Sequence, residues 1–274
     1  MPGLSLTHRK AIGRALRDRD SEIALGPVWK EIYRYFGIGR IEGRKLRFAH
    51  ADFETLLKAA VTEFGGDPRE SLSTLDRIEA APYTRDEKQA GRRPDYGYVH
   101  AKGALPAPLP ALPTGCALRV SLDRLDTDAV TCVLVVENLD CFDQIHRFTL
   151  PESLCDALVL YRGHSATTGG NRQLLQCLPA DATVTVFPDH DPAGLAIAAS
   201  LPRATHLLTP ALTPELLAKG SREHFDRQHR QAKHLDSMAL GSWQAVWEEM
   251  KRGGVSIKQQ HMLALGAPLH CVGR

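Results

Sequence analysis

The chain has no Cys-x-x-Cys pair, no apolar run approaching a membrane span and no Gly-x-x-x-x-Gly-Lys phosphate loop. Each absence removes a class of function. The six cysteines, Cys116, Cys132, Cys141, Cys155, Cys177 and Cys271, are scattered, and several lie in apolar runs. Buried free thiols in a reducing cytosol fit that pattern better than disulfides or a zinc site. A membrane helix needs roughly 18 consecutive apolar residues, so no span is expected. Without a phosphate loop, ATP hydrolysis by this chain is not expected. The start, Met1 to His8, lacks the apolar core of an export signal, and a cytoplasmic location is expected. Low-complexity tracts, charge blocks and internal repeats are missing too.

What is present is enough chain, 274 residues, for one large domain or two ordinary ones. The formal net charge is only +2, but it is unevenly spread. Residues 1–50 hold eleven Lys/Arg and five Asp/Glu, a local balance of +6, so the rest sums to −4. A basic front and a faintly acidic back suit a protein that grips an anion with one part and a metal with another. Solvated arginines on helix faces would give the same numbers.

Periodicity sets out the front half. Thr7 to Arg17 reads as a helix. Gly26-Pro27 opens a second, with Trp29, Ile32, Tyr33 and Phe36 on one face. Arg44-Lys45-Leu46-Arg47-Phe48 alternates like a short amphipathic strand, and Asp52 to Phe64 reads as a third helix. Asp67-Pro68 restarts a helix through Leu72, Leu75 and Ile78. Helices around a small basic strand predict a mostly helical, winged-helix-like DNA-binding region over 1–103. Its phosphate contacts would be Arg44, Lys45 and Arg47 on the strand, and Lys88, Arg92 and Arg93 in a basic loop. Residues 104–115 hold Pro106, Pro108, Pro110 and Pro113 and read as the linker. From 116 to 274, strands and helices alternate, which predicts an α/β domain built on a mainly parallel sheet.

Two segments of that second half carry chemistry. Val133-Leu134-Val135-Val136 ends in Glu137-Asn138, and Val184-Thr185-Val186-Phe187 ends in Pro188-Asp189-His190-Asp191-Pro192-Ala193-Gly194. Continuous apolar, β-branched runs are the mark of strands buried on both faces of a parallel sheet. Ligand groups gather at the carboxyl ends of such strands, so Glu137, Asp189 and Asp191 should meet at one edge. Strand alternation lets the two aspartates share a side while His190 turns away. Two unit charges ~4 Å apart repel by roughly 4 kcal/mol at a surface-like dielectric. A cation relieves that, and the all-oxygen set suits Mg²⁺ or Mn²⁺ and phosphoryl chemistry. Taken alone, Asp191-Pro192 is also an ordinary helix start, and Gly194 an ordinary close-packing glycine.

The Glu137 and Asp189-x-Asp191 pair resembles the signature of the Toprim domain. The form Asp189-His190-Asp191-Pro192-Ala193-Gly194 is similar to the topoisomerase VI A subunit and its meiotic break-making relatives. Glu137-Asn138-Leu139-Asp140-Cys141-Phe142 resembles an element of the Wadjet plasmid-defence nuclease family JetD (MksG). The basic front module and a helical tail containing Ser256-Ile257-Lys258-Gln259-Gln260 fit that architecture. The resemblance covers roughly residues 115–274. It implies a Rossmann-like catalytic domain and Mg²⁺-dependent endonuclease action on plasmid DNA, beside an SMC-like complex at the nucleoid. Glu137, Asp189 and Asp191 would be its catalytic and metal residues. A homodimer would set two such sites on opposite strands. Two alternatives stay open: a tyrosine transesterase, with Tyr35 as the free phenol, and a non-catalytic scaffold that keeps the fold.

Other constellations are weaker. Gly169-Gly170-Asn171-Arg172 opens a helix at the same edge, where backbone N–H groups and Arg172 would hold a phosphate; a plain glycine turn is the equal alternative. His164 follows a strand and reads first as a loop histidine, with a substrate contact as the alternative. His224, His229 and His234 are spaced by five, which turns a helix by about 140° per step, so they share no face.

Overall fold

The computed structural model describes residues 3–163 and 168–274. His164 lies outside the described residues. The chain divides into two units, Met1–Pro94 and Asp95–Arg274.

The first unit runs α1 (Leu6–Asp18), β1 (Glu22–Ala24), α2 (Pro27–Phe36), β2 (Arg40–Glu42), β3 (Lys45–Arg47), α3 (His50–Phe64) and α4 (Arg77–Ala80). Its three short strands form an antiparallel sheet in the order β1-β3-β2. Ile12, Ile32, Leu46, Leu56, Ala60 and Phe64 close the core between helices and sheet. Pro27 at the first turn and Gly37 in the left-handed region bound α2, as its sequence predicts. The helix expected through Leu72, Leu75 and Ile78 is mostly turns. Only Arg77–Ala80 is helical; Leu72 is buried but Ile78 is 85% exposed, so the spacing does not mark one buried helix face.

The second unit holds a seven-stranded sheet. Its strands are β4 (Tyr98–Gly103), β5 (Leu118–Ser121), β6 (Cys132–Val136), β7 (Leu158–Tyr161), β8 (Thr183–Phe187), β9 (His206–Pro210) and β10 (Leu269–Gly273). The order is β10-β9-β8-β6-β7-β4-β5. The four central strands are mutually parallel, whereas β4, β5 and β10 pair antiparallel at the margins. The Pro-rich segment joins β4 to β5 within this unit. It is therefore a loop inside the domain, and the division falls earlier, at Pro94–Asp95.

Helices cover both faces. On one lie α6 (Thr168–Cys177), α7 (Pro192–Ser200), α10 (His229–Asp236) and α11 (Trp243–Gly253). On the other lie α5 (Leu139–Asp143), α8 (Pro214–Leu217) and α12 (Gln259–Ala264). α9 (Arg222–Asp226) precedes α10. Along β6, Val133 and Val135 enter one core while Leu134 and Val136 enter the other, and all four are fully buried. That two-sided burial is why the strand reads as an unbroken apolar run. Trp243 and Trp247 sit in the first of these cores. Among the described residues no helix is long and apolar enough to cross a membrane.

Candidate functional site

β6 and β8 lie side by side in parallel register, with Val136 opposite Phe187. The chain leaves β6 into α5 on one face and leaves β8 into α7 on the other. Neighbouring strands whose connections part in this way open a crevice at their carboxyl ends, the usual ligand position in such sheets. The ladder continues one residue into it: the Glu137 amide donates to the Phe187 carbonyl at 3.0 Å.

The three acids gather at that crevice, as their spacing predicts. Glu137 Oε2 accepts the Asp189 amide at 3.1 Å, and its Oε1 lies 3.6 Å from Arg162 Nη2. Asp189 Oδ1 accepts the Gln259 amide at 2.9 Å. Asp191 takes the capping role its sequence allows, and its second carboxylate oxygen is engaged as well. Its Oδ1 caps α7 by accepting the Gly194 amide at 2.8 Å. Its Oδ2 accepts from Ser256 Oγ at 2.6 Å, Lys258 Nζ at 2.7 Å and Gln228 Nε2 at 3.0 Å. Gly194 is structural: a Cβ there would stand 2.2 Å from the Asp189 carbonyl oxygen. His190 turns away, as alternation requires, and its Nδ1 meets Thr209 Oγ1 at 3.2 Å.

The unforeseen member is Lys258. Its ammonium lies 3.0 Å from Asp189 Oδ2 and 2.7 Å from Asp191 Oδ2, between the two aspartates. The stretch Ser256–Gln259 is clamped on the edge by side chains and backbone alike. His190 and Ile257 exchange backbone hydrogen bonds of 2.9 and 3.1 Å. Gln259 donates to the Phe187 carbonyl at 2.9 Å and accepts the Asn138 amide at 2.8 Å. This segment does not begin the expected helix; α12 starts only at Gln259.

Charge within the cluster is uneven. Three carboxylates against Lys258 and Arg162 leave −3 + 2 = −1. Burial raises the pKa of Glu137, and the Asp189 charge adds to it, against the pull of the Asp189 amide and Arg162. Burial also raises Asp189, although Lys258 and the Gln259 amide oppose it. Asp191 goes the other way. Burial pushes it up, but Lys258, Ser256, Gln228 and the Gly194 amide together hold it below the ordinary range. On Lys258, burial disfavours the charge, but Asp191 and Asp189 outweigh it and raise its pKa.

A hard divalent cation fits part of this set. All donors are oxygen, a negative charge remains uncompensated, and Mg²⁺ needs only one or two carboxylates beside a phosphate. Glu137 and Asp189 are the side chains with that capacity. Asp191, 1% exposed and holding four donors, is a positioning residue. Among the described residues, no group of three or more His, Cys, Asp or Glu side chains is arranged as a ready metal cage.

Other expected site residues fall elsewhere. Arg172 is exposed and its Nη1 meets the Ser200 carbonyl at 3.4 Å. Ser200 closes the helix that Asp191 opens, roughly 13 Å along its axis, so the guanidinium is turned away from the acidic edge. Gly170 is a packing residue: a Cβ there would stand 2.0 Å from the Tyr98 carbonyl oxygen. Asn171 donates to the carbonyls of Tyr161 and Arg162 at 2.7 and 2.8 Å and so fixes the end of β7 beneath Glu137's partner. Lys45 and Arg47 are engaged on their own sheet. Lys45 pairs with Glu22, and Arg47 pairs with Glu22 at 3.0 Å and Glu42 at 2.9 Å. Arg44, Lys88, Arg92 and Arg93 are exposed. His224, His229 and His234 are exposed on two helices, α9 and α10.

Fold and site together define a mixed α/β domain with a carboxylate-lined crevice at the switch point of its sheet. The chain belongs to the family described as Domain of unknown function (DUF7281), whose model matches residues 97–271. That span is nearly the whole second unit and includes β4, ahead of the Pro-rich loop. No curated protein matches the chain.

Proposed function

We propose that the second unit is a Toprim-like, metal-dependent phosphodiesterase that cuts DNA, and that the first unit is a winged-helix-like DNA-binding module. The observation that carries this reading is the meeting of Glu137 and Asp189 at the switch point, both with raised pKa and with a net negative charge left over. The antiparallel β1-β3-β2 sheet with its β2–β3 hairpin supports the second part. By resemblance, the setting is plasmid defence beside an SMC-like complex of the Wadjet type, at the nucleoid, with a homodimer for double-strand cuts.

The geometry supports the following roles. A bound Mg²⁺ or Mn²⁺ would supply Lewis-acid polarisation of a phosphate oxygen. Asp189 and Glu137 would hold it. Glu137, with its elevated pKa and its place at the rim, is also suited to take a proton from an attacking water. Asp191 fixes the start of α7 and the tail segment. Lys258, beside both aspartates, offers positive charge to a phosphate.

One observation favours a second reading, a non-catalytic DNA-binding scaffold: Lys258 already supplies the aspartates with a cation. Against a tyrosine transesterase stands Tyr35, whose hydroxyl donates to Glu63 Oε2 at 2.7 Å; that bond and partial burial raise its pKa. The deciding assay is cleavage of supercoiled plasmid with Mg²⁺ or Mn²⁺ by the full chain. Asp189→Ala should lower it by more than about a hundredfold, and Tyr35→Phe should leave it unchanged. Cutting that persists in Asp189→Ala removes the mechanism. A folded chain that neither cuts nor binds metal supports the scaffold.

A further inference from the structure

A concave basic site lies in the first unit, on the side of α1 facing the 67–73 turn and the 88–91 segment. The cavity is about 390 Å³, a size suited to a small ligand. Arg9, Lys10, Arg14, Arg17 and Lys88 line it against a single carboxylate, Glu70, a balance of 5 − 1 = +4. Among the described residues, no carboxylate pairs with Lys10, Arg14 or Lys88. This contrasts with Lys45 and Arg47 on the neighbouring hairpin, which are answered by Glu22 and Glu42.

The pocket is built rather than incidental. Gly13 stands in the middle of α1, where glycine is less favourable than alanine. A Cβ there would lie 2.1 Å from the Pro68 carbonyl oxygen, so glycine is what lets the turn lie on the helix. The turn then holds two arginines by their guanidinia: Arg9 Nη2 donates to the Asp67 carbonyl at 2.7 Å, and Arg17 Nη1 to the Arg69 carbonyl at 2.6 Å. The far wall is tied to the same turn, with the Gly91 amide on the Leu72 carbonyl at 2.7 Å. Arg9 is 1% exposed, and its Nη1 is buried without a hydrogen-bond partner. A buried guanidinium left short of an acceptor is costly unless an anion completes it.

We propose that this pocket binds a terminal phosphate or polyphosphate group. The carrier is either a free nucleotide-sized molecule or the phosphorylated end of a nucleic-acid strand. A multiply charged terminal group suits a pocket lined by five cations better than an internal phosphodiester, which brings one charge per phosphate. Three segments wall the pocket, so a chain end enters it more readily than a continuous backbone. The inference rests on the first unit alone and stands whatever the acidic edge does.

The test is calorimetry on the full chain in EDTA at about 150 mM salt, which removes metal from consideration. The probes are inorganic pyrophosphate, a nucleoside triphosphate, and a single-stranded oligonucleotide with a 5′-phosphate or a 5′-hydroxyl. Pyrophosphate should bind, and the double variant Arg14→Gln with Lys88→Gln should weaken it at least tenfold. Both residues are exposed, so the fold should persist; Lys30→Gln with Lys58→Gln, two exposed lysines outside the pocket, is the matched control and should bind as the parent does. Preference for the triphosphate would assign the free molecule, and preference for the 5′-phosphate over the 5′-hydroxyl would assign the strand end. No binding of any phosphorylated probe, or equal binding in the Arg14/Lys88 variant, overturns the proposal.

Discussion

Three carboxylates meet at the sheet edge of the second unit, and two internal cations, Lys258 and Arg162, answer them. Five cations line the α1 pocket of the first unit, and one carboxylate answers them. The first cluster is mostly neutralised from within, by groups whose hydrogen bonds also hold the tail segment in place. The second keeps its charge. A compensated cluster contributes to stability, and only its uncompensated remainder is open to a ligand. An uncompensated cluster costs stability through self-repulsion and has its whole charge available for binding. Asp191 and Glu137 show the same split within one site: pKa lowered by four donors in one, raised by burial and a like charge in the other.

The largest effect should come from breaking the compensated part. Asp191→Ala strands Lys258, Gln228, Ser256 and the Gly194 amide around a buried hole. About 3–5 kcal/mol should be lost in chemical denaturation, well above the cost of Glu137→Gln. Close behind is acid sensitivity at His190. Burial pushes its pKa down to about 4 from 6.5, with Asp191 opposing. The unfolded chain therefore binds a proton that the folded chain refuses. Stability should fall as pH drops from about 6.5 to 4, by up to about 3 kcal/mol, and His190→Asn should flatten that slope. A pH-stability curve identical in the variant would contradict the burial argument.

Smaller effects sharpen the comparison from the other side. Lys258→Met removes the internal cation while leaving the acids. Mn²⁺ affinity should rise about tenfold, or 1.4 kcal/mol, by paramagnetic resonance titration. Because Glu137 and Asp189 hold protons above the usual carboxylate range, that affinity should weaken as pH falls through the upper part of the range, earlier than for ordinary acids. Smallest of all should be Lys45→Gln on the hairpin. Its charge is answered by Glu22, and duplex affinity should change by less than roughly threefold.

Much of this architecture was readable in advance, and the reasons are local. β6 and β8 are buried on both faces, so Val133–Val136 and Val184–Phe187 announce themselves as apolar runs. The two acid-bearing turns follow directly from them. β4 and β10 carry no legible strand pattern. Tyr98–Gly103 carries His100 and Lys102, and Leu269–Gly273 is only partly buried, so neither shows a clean period. Lys102 is buried only because the carbonyls of Phe142 and Asp143 receive its ammonium at 3.1 and 3.0 Å, a partnership 40 residues away. Lys258 was hidden for the same reason at greater length, 67 residues beyond Asp191. Nothing in Ser256-Ile257-Lys258-Gln259 marks a lysine that turns inward; only the fold of the tail onto the crevice does. The α1 pocket was half visible as a basic front. What could not be read was which cations the hairpin acids would silence.

The most direct measurement is Mn²⁺ binding to the full chain, followed by paramagnetic resonance without DNA. The account predicts a bound ion in the parent, its loss in Asp189→Asn and tighter binding in Lys258→Met. An edge that binds no Mn²⁺ in either the parent or Lys258→Met, while the chain stays folded, would contradict it.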